Sequence, residues 1–540
     1  MSDWNFVDTW RAIVAAQPEH IALEQGERRF TWREFVADVE AIASHLHGLE
    51  LPAQSTVALY LYNCPEYLIG FGATLAAGHV PINTNFRYGD EELRYLFDNA
   101  DTRVVIFHGA FLAQVEGLRA ALPALVDFIF VDDATVACPS WATRFEAACA
   151  TPRVDLPELS GDGLVMLYTG GTTGMPKGVM WRQDDLFVRL NEAGFLRFPP
   201  EATIADVTRL IEESGQHPSL LPACPLMHGT GLFTSLRSLS EGGRVVLLAA
   251  RQFDAHELVA TLEARAVRGV VIVGDPFARP MLEVMCEHPG RYPLEALQII
   301  GSSGAMWSEE VKQGLLEQIP HVMLADAFAS SEALGMGNSV SVKGHLASTA
   351  HFTLGPHSQV VDETGRAVVA GSGQIGQLVL GGRNPLGYYK DPVKSAATFP
   401  VIDGVRCVVP GDMASVDAEG TIHLLGRGSQ CINTAGEKVF PEEVEESLKT
   451  HPDVVDACVV GVSDPHFGQR VVAAVELHRG RQVSEHELID HVKQRLASYK
   501  APRAVRFVAT IGRAVNGKMD YQRHQLEAAQ WVDSLANPAS

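Results

Sequence analysis

The residues of this sequence best suited to chemistry lie in one short stretch, Tyr168–Gly178, which holds four glycines, three threonines and one lysine in eleven residues. Glycines let backbone N–H groups approach anionic oxygens closely, threonine hydroxyls add donors, and Lys177 adds a point charge. The stretch therefore predicts a loop that binds phosphate groups. It differs from a Walker P-loop, because Pro176 precedes the lysine and Gly178 follows it. A plain flexible turn, the alternative, needs neither the paired threonines nor the lysine.

Buried strands must hold this loop, and the apolar run Leu164–Leu167 directly before it predicts one of them. Residues 1–160 alternate helical patterns, such as residues 31–49, with short β-rich runs, such as residues 56–60, which is typical of βαβ units. Further strand-like runs lie at residues 103–107, 243–248, 269–273 and 297–301. The pattern predicts a large α/β body of doubly wound sheets.

Two smaller units follow this body. Short, glycine-punctuated strand patterns begin at about residue 355 and predict a small antiparallel β-unit, with strands at residues 358–361, 377–380 and 421–425. Beyond Gly426–Ser429 the sequence predicts a compact α+β domain. Its elements are a helix opened by Pro441, strands at residues 454–462 and 471–477, and a helix at residues 485–498.

Composition narrows the class of protein. The chain has 540 residues, of which 46% are apolar and 20% charged, as in globular proteins that bury large cores. Its net charge of -22 argues against nucleic acid and anionic lipid as partners. We find no secretion signal and no apolar run long enough to cross a membrane. Eight cysteines without CxxC pairs argue against zinc sites and disulfides, and favour a cytoplasmic location.

Further blocks follow the loop in a fixed order, and together they resemble the adenylate-forming superfamily, which includes acyl-CoA synthetases, peptide-synthetase adenylation domains and luciferases. The blocks are Pro225–Gly231, Gly301–Met306, Phe328–Glu332, Gly411–Asp412, Gly426–Lys438 and Asn516–Lys518. Each of these is weak alone, but with the loop they make seven blocks in register, which excludes coincidence. The local sequences Tyr168–Trp181, Gly426–Ser429 and Gly436–Glu445 are most similar to those of bacterial fatty-acyl or steroid-side-chain CoA synthetases.

The resemblance implies an ATP site in which Thr172, Thr173 and Lys177 hold the β- and γ-phosphates. Glu332, a hard oxygen ligand, would bind Mg²⁺ together with Thr172. Alone, Glu332 would more often be a solvated surface carboxylate. The loop and strand-end residues also assigned to ATP or AMP are Thr169, Gly170, Gly171, Gly174, Gly304, Ala305, Asp326, Ala329 and Ser331.

Adenosine contacts are implied as well. Phe328 would stack on adenine, Asp412 would accept two ribose hydroxyls, and Arg427 would donate to the same sugar.

The resemblance places His228 at the acyl carboxylate, where it also gates the pantetheine tunnel. A buried core histidine is the alternative reading, and orientation of the acid is favoured over proton transfer because the sequence shows no base partner. The residues assigned to the acyl pocket are His228, Gly231, Gly304, Ala329, Leu334 and Gly335.

The implied reaction has two halves, and a mobile C-terminal domain would serve both. Lys518 would bridge the acyl carboxylate and the α-phosphate during adenylation, so that Lys518, His228 and Glu332 are the catalytic set. Rotation about Ser429 would then bring a thiolation loop to the CoA tunnel. That loop contains Asn433, Ala435, Gly436 and Lys438. The predicted fold is thus α/β: an N-terminal body with its small β-unit (residues 1–426), a hinge (residues 427–432) and a mobile C-terminal α+β domain (residues 433–540).

Departures from the family pattern bear on the substrate. Gly170 replaces the usual serine, and residues 408–410 replace the usual Tyr-Arg-Thr, which puts ribose contacts other than that of Asp412 in doubt. Ala329 stands where acetate-specific relatives place a tryptophan, so the pocket should be deeper than acetate needs. We expect a medium-to-large hydrophobic acid, of fatty, aryl or steroid side-chain type.

Three functions are compared. An ATP-, Mg²⁺- and CoA-dependent acyl-CoA synthetase is the main hypothesis. An acyl-AMP ligase that loads a carrier protein is the second, and a catalytically inactive nucleotide-binding relative is the third, opposed by Lys177, Glu332 and Lys518. We expect no nucleic acid partner and no integral membrane association. The sequence leaves the oligomeric state open, with a homodimer as one alternative.

The charge is unevenly distributed along the chain. Residues 427–540 carry 14 basic and 15 acidic side chains, so nearly all of the negative charge belongs to residues 1–426. Residues 491–519 contain seven basic residues and no acidic one. This basic segment of the C-terminal domain, working with an acidic body, would let a strongly anionic protein handle ATP and CoA.

Overall fold

The computed structural model describes residues 3–171, 174–305, 307–402, 404–434, 437–464, 468–513 and 519–536. The chain forms two compact units. The first contains Met1–Thr349 with Gly381–Val408, and the second contains Ala350–Leu380 with Val409–Ser540.

Helices and strands alternate through the first 349 residues. The helices are α1 (Phe6–Ala16), α2 (Trp32–His47), α3 (Pro65–Ala76), α4 (Asp90–Asn99), α5 (Leu112–Ala121), α6 (Phe145–Cys149), α7 (Gln183–Glu192), α8 (Val207–Ser214), α9 (Gly229–Ser240), α10 (Ala255–Ala264), α11 (Asp275–Glu287) and α12 (Glu309–Gln318). The strands are β1 (Ile21–Gln25), β2 (Arg28–Thr31), β3 (Thr56–Tyr60), β4 (Val80–Asn83), β5 (Thr102–His108), β6 (Asp127–Val131), β7 (Thr143–Arg144), β8 (Leu164–Gly171), β9 (Gly174–Arg182), β10 (Ser219–Pro222), β11 (Arg244–Leu247), β12 (Gly269–Ile272), β13 (Ile299–Ser303), β14 (Met323–Phe328) and β15 (Gly337–Ser341).

The rest of the chain is richer in strands. Its strands are β16 (His351–Leu354), β17 (Ser358–Val361), β18 (Ile375–Leu380), β19 (Gly387–Tyr388), β20 (Val401–Ile402), β21 (Val405–Arg406), β22 (Asp412–Val416), β23 (Thr421–Arg427), β24 (Ile432–Thr434), β25 (Glu437–Val439), β26 (Val454–Asp464), β27 (Gly468–Leu477) and β28 (Ala504–Val508). Its helices are α13 (Pro392–Thr398), α14 (Pro441–Lys449), α15 (Glu485–Lys493) and α16 (Tyr521–Ala536).

The first unit is built on two large sheets, as the sequence predicts. One has the strand order β19-β9-β8-β4-β3-β5-β6-β7, with a parallel centre and the antiparallel hairpin β8–β9. The other has the order β15-β14-β13-β12-β10-β11-β1-β2, with its parallel strands in the middle. The central strands are buried because apolar runs such as Val104–Phe107 are covered on both faces.

The second unit contains two smaller sheets. The first is antiparallel in the order β17-β18-β22-β23-β16, which confirms the predicted small β-unit. The second has the order β25-β24-β27-β26, with β28 parallel to β27. The predicted helix at residues 485–498 ends at Lys493, because the chain must turn back to place β28 beside β27. Among the described residues, no helix is both long and apolar enough to cross a bilayer.

Candidate active site

The predicted phosphate loop lies at the tip of the β8–β9 hairpin. Thr169 faces Lys177 across the hairpin, and the backbones of Gly171 and Gly174 pair nearest the tip. The strand after the loop, β9, was not recognised in the sequence, because Pro176 and two glycines disguise its pattern. The hairpin is held within the sheet, since β8 pairs with β4 on one side and β9 with β19 on the other.

The Lys177 ammonium is held on the β19 side of the hairpin. Its Nζ lies 2.5 Å from Oδ2 of Asp391 and 5.7 Å from the centre of the Tyr388 ring. This bond is the main cause that holds the pKa of Asp391 below its usual value. An ammonium carries three N–H donors, so Lys177 can keep this bond and still donate to a phosphate oxygen.

The loop after β14 places Glu332 close to the same hairpin. The hydroxyl of Tyr388 donates to Oε1 of Glu332 at 2.8 Å. The buried indole of Trp181, on β9, donates to the carbonyl oxygen of Ser331 at 2.9 Å. Since Tyr388 contacts both side chains, the structure brings Lys177 and Glu332 together around one aromatic ring.

The predicted adenine residues gather at the carboxyl ends of two parallel strands. Ser303 pairs with Ala327, so Gly304 and Ala305 follow β13 beside the point where Phe328 ends β14 and Ala329 follows it. Gly304 has a φ of +95°, a conformation that favours glycine. The carboxyl edge of a parallel sheet is where α/β proteins bind ligands, and these residues lie there. Leu334 is half-buried and Gly335 exposed in the turn that follows.

Asp326 lies before Phe328 on β14 and is buried, and it has a partner within the fold. Its Oδ2 lies 3.5 Å from Nζ of Lys312, which projects from α12 and is itself buried. This contact directs the carboxylate toward α12, and a contact of Asp326 with ATP stays a prediction.

Replacement of Asp326 by asparagine should remove part of the pH dependence of stability. Burial, opposed by Lys312, raises the pKa of Asp326 from 3.8 to about 6. The folded state therefore holds this proton more tightly than the unfolded chain. The contribution of this proton to folding stability is fully present below about pH 4 and is lost as the pH rises through about 6. The rise in the pKa of Asp326 corresponds to about 3 kcal/mol of unfolding free energy.

The measurement is urea unfolding at pH 4 and at pH 7 for the wild type and the variant. The readout is the change in unfolding free energy between pH 4 and pH 7. The value at a single pH is not used, because the variant also leaves Lys312 without its carboxylate. The control is Glu310→Gln, a carboxylate that is 74% exposed and lies on α12, the helix that carries Lys312. An unchanged difference in Asp326→Asn would contradict the assignment.

His228 lies directly before α9 and is half-buried. Its backbone N–H donates to the carbonyl oxygen of Pro225 at 3.1 Å, which closes a turn after β10. Gly231, in the first turn of α9, packs against main-chain atoms. A Cβ at this position would lie 2.5 Å from the carbonyl oxygen of Pro225 and 3.0 Å from that of Cys224. Close packing therefore requires this glycine, whatever its place in an acyl pocket.

In the second unit, Asp412 begins β22 and its backbone pairs with that of Arg427. The carboxylate is buried. The two predicted ribose residues therefore lie opposite each other on one antiparallel pair. Ser429 lies in the turn Gly428–Gln430 that follows. Only the backbone is described for Arg427, Ser429, Asn433 and Lys438, whereas Thr172, Thr173, Ala435, Gly436 and Lys518 lie outside the described residues.

Residues on both sides of the Lys518 segment are anchored to the same domain. The guanidinium of Arg513 forms two bonds with Asp456, at 2.6 and 2.8 Å. The hydroxyl of Tyr521 donates to the buried carboxylate of Glu445 at 3.1 Å. Burial alone would raise the pKa of Asp456, but the hydrogen bond and charge of Arg513, together with the charge of Lys449, lower it overall. Burial raises the pKa of Glu445. The described flanks of the segment are thus fixed by charged and polar contacts.

The sequence does not indicate several side chains around the site. Tyr388 and Asp391 lie more than 200 residues from Lys177, and pairings at that separation leave no local pattern. The one available signal was Asp391 before Pro392, a helix-start signature that the N-cap of α13 explains without a site. Asn63 is half-buried and Asn83 is buried, and both bond the backbone before His228. No pattern in the sequence indicates either of them.

Known proteins match this chain over nearly its whole length. The profile of the AMP-binding enzyme family matches residues 10–389, and that of the AMP-binding enzyme C-terminal domain matches residues 443–518. A 3-oxocholest-4-en-26-oate–CoA ligase of Rhodococcus rhodochrous is 36% identical, with 96% of this chain and 95% of the relative covered. A medium/long-chain-fatty-acid–CoA/3-oxocholest-4-en-26-oate–CoA ligase of Mycobacterium marinum is 37% identical, with 97% of each chain covered.

Solved structures share the fold. A benzoate CoA ligase from Burkholderia xenovorans LB400 aligns with a TM-score of 0.80 at 22% identity, over 97% of this chain and 100% of the other. At this identity the likeness supports the fold alone.

Proposed function

This chain belongs to the family of AMP-binding enzymes, and from that premise we propose that it is an ATP-dependent acyl-CoA ligase for a medium-to-large hydrophobic carboxylic acid. A fatty acid or a steroid side-chain acid is favoured over an aryl acid, because the relatives at 36–37% identity are ligases of those acids. The observation that carries the proposal is the grouping of Lys177, Tyr388 and Glu332 at the hairpin.

The proposed reaction has two steps. A carboxylate oxygen of the acid attacks the α-phosphorus of ATP, so that the bond to pyrophosphate breaks and an acyl-AMP forms. The thiol of CoA then loses its proton and attacks the acyl carbon, and AMP leaves. Within this scheme Lys177, Thr172 and Thr173 bind the departing phosphates, His228 orients the acid, and Lys518 neutralises charge at the α-phosphate.

The donor set fits Mg²⁺. The described residues contain no cluster of three His, Cys, Asp or Glu side chains, but magnesium is usually bound by one or two carboxylates together with substrate phosphates. Glu332, with the hydroxyl of Thr172, would supply the protein oxygens. The ion would neutralise charge on the phosphates. Tyr388 would hold the Glu332 carboxylate in one orientation, because its hydroxyl already donates to Oε1.

Other parts of the proposal rest on the sequence. Phe328 and the strand-end residues Gly304 and Ala329 would form the adenine and acyl walls, and Asp412 with Arg427 would bind the ribose. Rotation about Ser429 would exchange Lys518 for the thiolation loop. We also propose a cytoplasmic location. A homodimer stays open to measurement by light scattering.

A screen of carboxylic acids tests the function. Purified protein with ATP and Mg²⁺ should release pyrophosphate with medium- and long-chain fatty acids or with a steroid side-chain acid, and at least about tenfold less with acetate. A thioester should form only when CoA is added. Acyl transfer to a carrier protein but never to CoA would reject the proposal in favour of an acyl-AMP ligase. A strict preference for acetate would reject the deep pocket.

A further inference from the structure

Asn83, at the end of β4, joins the phosphate hairpin to the segment before His228. Its buried amide nitrogen donates to the carbonyl oxygens of Tyr168 at 2.9 Å and Met227 at 2.7 Å. Its amide oxygen accepts from the N–H of Tyr168 at 2.6 Å. An asparagine side chain offers two donors and one acceptor oxygen, and all three groups are used here.

Asn63 holds the same segment from a second side. Its amide nitrogen donates to the carbonyl oxygen of Cys224 at 3.0 Å, and its amide oxygen accepts from the N–H of Leu226 at 2.7 Å. Its own backbone carbonyl accepts from the side chain of Gln25 at 2.9 Å, so the residue is itself anchored.

The segment held in this way is the short piece of backbone between β10 and α9. Strand β10 ends at Pro222 and α9 begins at Gly229, so residues 223–228 lie outside a helix or strand. Backbone groups at Cys224, Leu226 and Met227 are therefore bonded by the two asparagines. His228 directly follows Met227, so these contacts hold the backbone from which its side chain projects.

We propose that Asn63 and Asn83 are positioning residues for activation of the acid, acting through His228. Asn83 fixes the spacing between the phosphate hairpin, one residue before Thr169, and the backbone one residue before His228. Asn63 fixes the His228 segment alone. The inference rests on the proposed function, since it assigns to His228 a contact with the acid. It predicts that changes at Asn63 affect the kinetics of the acid, whereas changes at Asn83 affect the kinetics of both the acid and ATP.

Aspartate is the informative replacement, because it keeps the shape of asparagine but turns the amide donor into an acceptor. In Asn63→Asp, a carboxylate oxygen would face the carbonyl oxygen of Cys224, and the segment should move away. In Asn83→Asp, two carbonyl oxygens would lose their donor at a buried site. Asn63 is only half-buried, so its variants are the safer test of the two. Asn63→Ala is made in parallel because it adds no charge.

Asn191 supplies a matched control. Its side chain likewise bonds backbone through both amide atoms, donating to the carbonyl oxygen of Phe198 at 2.9 Å and accepting from the N–H of the same residue at 2.8 Å. It lies at the end of α7, in a cavity also lined by Ser240 and Glu241 at the opposite end of α9 from His228. Asn191→Asp should therefore perturb local structure without moving His228.

The experiment combines steady-state kinetics of acid-dependent pyrophosphate release with a double-mutant cycle. Asn63→Asp should lower kcat/KM for the acid about 10- to 100-fold and leave the KM for ATP within about twofold. Asn83→Asp should change the parameters of both substrates. In a His228→Ala background, the effect of Asn63→Asp should shrink to about twofold or less, because a residue that acts through His228 has nothing left to position. Asn191→Asp should keep wild-type kinetics.

Additive effects of Asn63→Asp and His228→Ala would overturn the proposal. An equal rise of the KM for the acid and the KM for ATP in Asn63→Asp would also overturn it, as would a loss of activity in Asn191→Asp equal to that in Asn63→Asp. Melting temperatures identify variants that fail to fold. If Asn83→Asp is among them, the Asn63 cycle decides alone. Failure of the proposed function is distinguishable, because the wild type would then release no pyrophosphate with any acid.

Discussion

Glu332→Gln is expected to lower kcat for acid-dependent pyrophosphate release about 10²- to 10³-fold, similar to the loss when a charge-stabilising group is removed from an active site. The change keeps the size of the side chain and an oxygen for the Tyr388 hydroxyl, which now donates to Oε1 at 2.8 Å. It removes the negative charge that would hold Mg²⁺ against the phosphates. The Mg²⁺ concentration needed for half-maximal rate should rise accordingly, and the rate at each Mg²⁺ concentration is the measurement.

Two further variants separate charge from geometry. Tyr388→Phe removes the hydrogen bond but leaves the carboxylate, so we expect less than about a tenfold loss, in the range of one hydrogen bond. Glu287→Gln, an exposed carboxylate at the end of α11, should have no effect. If Glu332→Gln kept more than about one third of the wild-type rate at every Mg²⁺ concentration, Glu332 would not be a magnesium ligand.

Lys518→Ala should separate the two half-reactions. Formation of acyl-AMP from acid and ATP should fall about 10³-fold, because the charge that neutralises the α-phosphate is lost. Formation of acyl-CoA from chemically supplied acyl-AMP and CoA should keep most of its rate, since no phosphate bond to pyrophosphate breaks in that step. Single-turnover assays of each half, started from ATP or from acyl-AMP, give the two rates independently.

Arg481→Ala is the control, since it removes one positive charge from an exposed side chain of the same domain that pairs with Asp453 and lies outside the basic segment 491–519. It should leave both half-reactions unchanged. Equal losses in the two halves for Lys518→Ala would mean that the lysine supports the fold or binds CoA, and would reject its assignment to adenylation.

The sequence predicted the architecture well because apolar periodicity is local. Runs such as Val104–Phe107 are buried in the structure as strands of a parallel sheet. Where a long-range contact decided the outcome, local pattern failed. The helix predicted through residue 498 ends at Lys493, since the pairing of β28 with β27 outweighs helix propensity. The strand β9 was missed for the same kind of reason, since its proline and glycines are tolerated by pairing with β8.

For the candidate site, the sequence indicates chemical groups but not the contacts that position them. Residue types and order pointed to Lys177, Phe328 and Glu332, and the structure places Lys177 and Glu332 around Tyr388. The residues that orient them could not be identified. Trp181 holds the Ser331 carbonyl from 150 residues away, and a tryptophan of this kind resembles any other core residue in sequence. Positioning contacts depend on the folded geometry, whereas chemical groups are visible in the residue types themselves.

The packing of Gly231 on the backbone of Cys224 and Pro225 restricts how the acid range of such an enzyme could be redesigned. A library that enlarges this residue would displace main-chain atoms before it altered the pocket, since a Cβ would lie 2.5 Å from the carbonyl oxygen of Pro225. Ala329 and Leu334 are half-buried in the loop after β14 and carry no such constraint from their backbone. Directed evolution toward shorter acids should therefore collect its substitutions at these two positions and keep residue 231 fixed.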